Sequence, residues 1–119
     1  MKNHLFSLLF FMFLSGAFAQ DTLKGTASYY ASKFEGRKTA NGELFSNSGF
    51  TAAHKTLPFG TKVKVINPSN GRSVIVIIND RLPHNSSRTI DLTQKAAREL
   101  GILKKGIAKV EIILVSDED

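Results

Sequence analysis

The sequence predicts a mainly β protein, a small barrel closed on itself with one or two short helices. Three observations carry that reading. Thr61-Lys62-Val63-Lys64-Val65-Ile66 alternates polar and apolar residues, the two-residue period of a half-buried strand. Ser73–Ile78 is a β-branched run, the pattern of a strand covered on both faces. Gln94–Leu100 carries helix start and stop signals and is short. Several short strands beside one small helix leave few protected edges unless the sheet closes.

Taken in chain order, Gly25–Ala31 has strand-forming residues after a glycine. Ser32–Gly49 passes through Gly36, Asn41-Gly42 and Asn47-Ser48-Gly49 and reads as a long ordered loop. Asn67-Pro68-Ser69-Asn70-Gly71 is a turn that joins the segments on either side into a hairpin. Arg88–Leu92 is a short strand that runs into the helix. Thr93 caps that helix, Gly101 ends it, and Ala96, Ala97 and Leu100 form its apolar stripe. Ile107–Val115 is the last strand. Thr61–Ile66 and Ala108–Ile113 share a Lys-Val-x-(Val/Ile) pattern, compatible with a pseudo-twofold barrel.

The 119 residues allow one small domain. With no cysteine there is no disulfide framework, thiol chemistry, iron–sulfur cluster or lipid-bearing cysteine. A formal charge of +6 points to an anionic partner or surface. Met1–His4 is a short polar start with one lysine, Leu5–Leu14 is almost wholly apolar, and Ala17-Phe18-Ala19 fits a small-residue cleavage site. This is the pattern of a secretory signal, and its apolar run is too short to span a bilayer. The expected organisation is therefore a signal peptide over 1–19, a linker over 20–24, a domain over 25–115 and an acidic tail over 116–119. Export to the periplasm or cell envelope, or secretion beyond it, demotes nucleic acid and favours glycans and wall polymers as partners.

Six stretches, in this order and spacing, resemble the rare-lipoprotein-A-like proteins. They are Gly25–Tyr30 (GTASYY), Gly36–Glu43 (GRKTANGE), Thr51–His54 (TAAH), Leu57–Thr61 (LPFGT), Asn79-Asp80-Arg81 and Arg88–Leu92 (RTIDL). The resemblance implies a six-stranded double-psi β-barrel over about Gly25–Val115. It also implies a peptidoglycan lytic transglycosylase acting on glycan strands poor in stem peptides, with Asp80, Glu43 and His54 as the catalytic set. Tyr29, Tyr30, Phe59, Ser46 and Arg81 are the candidate substrate-binding residues. Two positions depart from the family pattern. Ser46 stands where active relatives carry an acidic residue, and Leu82 replaces a glycine after Asp80-Arg81.

The chemistry fits those residue types. Glycosidic cleavage needs a proton delivered to the leaving oxygen as positive charge builds on the sugar. In a lytic transglycosylase the sugar's own 6-hydroxyl attacks, so one carboxyl group can act first as acid and then as base. Asp80 follows the apolar run Val74–Ile78, and an apolar surround there would favour the protonated acid. Taken alone, a loop aspartate of this kind better suits a structural partner of Arg81 or a turn cap, and the family resemblance reverses that. Glu43 suits charge stabilisation or a sugar hydroxyl, and His54 suits a hydrogen bond to either carboxylate. Tyr29, Tyr30 and Phe59 suit stacking on sugar rings or core packing. Asp91 reads as a helix-entry carboxylate partnered by Arg88. Two histidines beyond the leader and no cysteine indicate neither metal nor cofactor. The expected partner is the peptidoglycan glycan strand, bound by a monomer without membrane span or lipid anchor. Two alternatives stay open: a non-catalytic, expansin-like wall-binding module, favoured by Ser46, and a polysaccharide hydrolase using Glu43 and Asp80.

Overall fold

The computed structural model describes residues 22–116. The expected signal peptide and the last three residues of the acidic tail lie outside them. Six strands form a closed barrel: β1 (Thr22–Tyr29), β2 (Thr51–His54), β3 (Lys62–Asn67), β4 (Arg72–Arg81), β5 (Ile90–Leu92) and β6 (Ala108–Leu114). Around the ring the order is β1-β5-β2-β4-β3-β6. β1·β5 and β2·β4 pair in parallel and the other four seams are antiparallel. Exchanging β1 with β4, β5 with β2 and β6 with β3 maps this pairing pattern onto itself. The Lys-Val repeat in β3 and β6 is thus the sequence trace of a pseudo-twofold, and those two strands pair across it.

The β3–β4 hairpin forms around the predicted turn, with Gly71 at φ 76°. Among the described residues there is one α-helix, α1 (Gln94–Leu100); it begins at Thr93, whose hydroxyl oxygen accepts from Ala96 N–H, and ends at Gly101 in the left-handed region. Asn67 and Asn70 side-chain amides donate to the Leu100 carbonyl, satisfying an orphan acceptor of the last turn. Ala96, Ala97 and Leu100 join Val63, Val65, Val76, Ile78, Leu92 and Ile112 in one core. A 3₁₀ turn over Ser32–Phe34 is the second short helix.

Two expectations need correction, and one strand has no counterpart in the sequence reading. β1 starts at Thr22, and Thr22, Leu23 and Lys24 pair with Ile113, Ile112 and Glu111, so these linker-assigned residues are barrel strand. Ser73–Ile78 is covered on one face only. Val74, Val76 and Ile78 are buried, whereas Ile75 and Ile77 are 48% and 42% exposed. They stand opposite Lys64 and Lys62 of β3 on the outside of the barrel, so β-branching here reflects strand preference rather than double burial. Finally, Thr51–His54 is a strand, although two alanines give it no local strand signal.

Thr93 carries more than the cap, because its hydroxyl also donates to the Gly49 carbonyl at 2.7 Å in a fully buried position. Thr93→Ala is expected to lower the unfolding free energy by about 1–2 kcal/mol in urea denaturation. An unchanged midpoint would show that the cap is dispensable.

Candidate active site

The site begins with an irregularity in β4. Alternation buries Val74, Val76 and Ile78, and unbroken it would bury Asp80 as well. Instead the β2·β4 register runs from Ala52↔Ile78 to Ala53↔Asp80, skipping Asn79. This bulge buries Asn79 beside Ile78 and leaves Asp80 half-buried at a groove. The groove is a cavity of about 450 Å³, and Tyr30, Arg37, Lys38, Asp80, Arg81 and Asp91 are among its polar lining. Phe34, Phe45, Leu82 and Pro83 are among its apolar walls.

Asp80 sits among neutral donors. Oδ1 accepts from the backbone N–H groups of Ala40 at 2.7 Å and Arg81 at 2.9 Å, and Oδ2 accepts from the Tyr30 hydroxyl. The expected apolar surround is therefore replaced by hydrogen-bond donors. Nor does the Arg81 guanidinium clamp it. That group turns away, donating to the His54 and Leu57 carbonyls at 3.0 and 2.7 Å and lying 4.2 Å over the Phe59 ring. Tyr30 is wedged between Phe34 and Phe45. Burial, then the hydrogen bond and charge of Asp80, push its hydroxyl well above the ordinary phenol range, so it serves as a donor.

The other expected site residues divide. Glu43 is exposed on the loop that abuts Asp80, with Oε1 accepting from Asn79 Nδ2 at 3.0 Å. His54 is buried at the end of β2, and its Nδ1 accepts from the Thr56 and Leu57 N–H groups, both at 3.1 Å. That nitrogen is therefore unavailable to a carboxylate, and neither Glu43 nor His54 lines the groove. Tyr29 points the other way from Tyr30, as strand alternation requires. It packs against the core and donates to the Leu103 carbonyl at 2.7 Å, so it is not a sugar platform. Phe59 stacks with Arg81 instead of lining the groove, and Ser46 pairs with Ser48 at 2.8 Å outside it.

Asp91 is the groove residue that the sequence reading placed elsewhere. Thr93 caps α1 as the sequence predicts, and the Asp91 side chain lines the groove. The Asp91 carboxylate is gripped by Arg88 through Nε at 2.7 Å and Nη2 at 3.0 Å, and Ser28 donates to Oδ1 at 2.5 Å. The hydrogen bond to Asp91 raises the Arg88 guanidinium further above its usual value. The Arg88–Asp91 spacing signals the pair, but only the parallel β1·β5 seam brings it beside Tyr30. Asn79 Oδ1 is buried without a hydrogen-bond partner among the described residues. Among those residues no group of three or more His, Asp or Glu side chains is arranged to hold a metal ion, and no helix is long and apolar enough to cross a membrane.

A family described as "Lytic transglycolase" matches residues 22–112, the barrel from its first strand into its last. The chain belongs to the lytic transglycolase family. Its barrel is the double-psi β-barrel of that family, and the six-strand ring with its two parallel seams agrees with it. The "Probable endolytic peptidoglycan transglycosylase RlpA" of Synechocystis is 54% identical over 91 residues, 76% of this chain and 28% of that one. The "Endolytic peptidoglycan transglycosylase RlpA" of Haemophilus influenzae is 50% identical over 99 residues, 82% of this chain and 34% of its own. The chain thus spans about a third or less of these curated relatives. Among solved structures, an expansin from Clavibacter michiganensis superposes with a TM-score of 0.65 at 23% identity, covering 82% of this chain and 52% of that one, a likeness of fold.

The buried His54 generates a pH prediction. Burial first, and then the positive charges of Arg81 and Lys55, hold its imidazole below the ordinary 6.5. The unfolded chain then binds this proton more readily than the folded one. Stability is present above about pH 6.5 and falls as the pH drops below it. His54→Asn, whose amide oxygen can replace Nδ1 as acceptor, is expected to flatten this fall when denaturation midpoints are compared at several pH values. An identical slope in the variant would assign the effect to other groups.

Proposed function

We propose that this chain supplies the catalytic barrel of an exported peptidoglycan lytic transglycosylase. It would cut MurNAc–GlcNAc bonds in glycan strands poor in stem peptides and leave 1,6-anhydro-MurNAc ends. The observation that carries this reading is Asp80, presented to the groove by the bulge with Oδ2 shared only with Tyr30. Family membership and the printed names of the relatives support the reaction class.

In this reading a proton on Asp80 resides on Oδ2, because Oδ1 already accepts two backbone N–H groups. Asp80 passes that proton to the glycosidic oxygen as the C1–O bond breaks. The 6-hydroxyl of the same sugar then attacks C1, and its proton returns to Oδ2. Tyr30 donates to Asp80 whenever the carboxylate is charged, and so is a positioning residue. Asp91, held on both oxygens by Arg88 and on one by Ser28, is a positioning residue that fixes the groove wall opposite the reacting sugar. Glu43, tethered by Asn79, binds a sugar hydroxyl at the rim. His54 acts at one remove, holding the Thr56–Leu57 turn whose Leu57 carbonyl anchors Arg81. The leader at 1–19 directs the chain to the envelope, where it acts as a monomer without cofactor.

The test is mass spectrometry of products from purified sacculi and from stem-free strands. Anhydro-ended fragments are expected. Asp80→Asn should lower their release by about 10²–10⁴-fold, the usual worth of a general acid–base group. Tyr30→Phe should lower it by about tenfold, the size of one hydrogen bond to a charged group. Reducing ends without anhydro product would replace this reading with a hydrolase. Glycan binding with no product would replace it with the wall-binding module that Ser46 favours. An undiminished Asp80→Asn variant would remove Asp80 from the chemistry.

A further inference from the structure

The groove carries more positive charge than the reaction uses. Arg37, Lys38 and Arg81 line it beside Asp80 and Asp91. Asp91 is already balanced by Arg88, and the Arg81 guanidinium is spent on two carbonyls and the Phe59 ring. Arg37 and Lys38 differ. Both are exposed, and neither side chain has an ion pair or hydrogen bond among the described residues. The Arg37 guanidinium lies 5.2 Å from the centre of the Phe34 ring, a groove wall.

The backbone behind these two cations is held in place. Lys38 bridges to Leu44, and Phe45 N–H donates to the Arg37 carbonyl at 2.7 Å. Thr39 N–H donates to the Glu43 carbonyl, and Asn41 N–H to the Asn79 carbonyl. Ala40 N–H grips Asp80 Oδ1 itself. Lys38 is two residues from Ala40, so its backbone stands within about 7 Å of the residue that holds the proposed acid. Two uncommitted cations on a pinned loop, facing a groove, are complementary to a ligand that is itself anionic there.

We propose that Arg37 and Lys38 are specificity residues that read a free carboxylate on the sugar beside the scissile bond. This rests on the transglycosylase reading only for the identity of that sugar. In a peptidoglycan strand the carboxylate belongs to the lactyl group of a muramic acid. Attachment of a stem peptide converts it to a neutral amide and removes the charge these residues would meet. Strands without stems are then selected by attraction to an exposed anion, and not only by the absence of bulk.

The experiment measures binding, so it does not depend on turnover. Asp80→Asn protein is titrated by calorimetry at low salt with three oligosaccharides of equal length. One is a neutral N-acetylglucosamine oligomer, one is a stem-free strand with free lactyl carboxylates, and one is that strand with each carboxylate converted to a simple amide. The free-acid strand is expected to bind about three- to tenfold more tightly than the other two, as two exposed charge pairs supply. The difference should shrink in added salt and in Arg37→Gln/Lys38→Gln. Lys38→Gln alone, which leaves the Phe34 stack intact, should remove part of it. Equal binding of the acid and amide strands, or a preference unchanged in the double variant, overturns the proposal. A charge preference in a protein whose unsubstituted form releases no anhydro ends would uphold these cations while refuting the transglycosylase. Anhydro release without the preference would do the reverse.

Discussion

The extra residue at Asn79 is the constraint on which the site depends. A strand that buries Val74, Val76 and Ile78 would carry its next alternate residue into the same apolar interior, where an unpaired carboxylate is costly. The bulge breaks the period once, at the barrel rim. Asn79 takes the buried place and Asp80 reaches the groove. The loop over 37–45 is then fastened to the displaced segment from three directions: Ala40 to the Asp80 carboxylate, Asn41 to the Asn79 carbonyl, and Asn79 to Glu43. A loop rich in turn formers thus becomes one wall of a site.

The two groove carboxylates differ in what surrounds them, and that difference separates their parts in the proposed reaction. Asp80 is met by two backbone N–H groups and a phenol, none of which carries charge, and one of its oxygens stays open to exchange. Asp91 is met by a guanidinium on both oxygens and by a serine, which fixes its orientation. Behind both stands a rigid support. β5 lies between β1 and β2, β2 lies between β5 and β4, and α1 packs its apolar stripe onto β4, so the side chains project from elements that cannot shift independently.

Much of the fold was legible locally. The β3–β4 hairpin, the Thr93 cap, the Gly101 stop and the apolar stripe of α1 each follow from short-range chemistry, and the structure has each of them. The readings that failed needed knowledge of neighbours. Ile75 and Ile77 lie on the outer face because nothing crosses over them, which no period in the sequence records. Thr51–His54, for which the sequence predicts no element, is a strand because β4 and β5 flank it. Thr22–Lys24 is a strand because β6 extends to meet it. In the site, Asp80 was visible at the end of an apolar run, yet its polar surround was not. Of two adjacent tyrosines, alternation sends one to the core and one to the groove, and the sequence does not say which.

By itself the sequence determined the class of fold, the hairpin, the helix and its limits, and the family-like motifs holding Asp80, Glu43 and His54. These are properties of neighbouring residues, where hydrophobic period, capping side chains and turn formers act over a few positions. Tertiary structure alone decided that Asp91 joins Asp80 in one groove, that His54 turns its nitrogen to the backbone, and that Arg81 leaves Asp80 free. Those outcomes come from parallel seams between strands far apart in the chain and from a register shift of one residue. Both depend on long-range packing, which selects among pairings that local sequence leaves equally open.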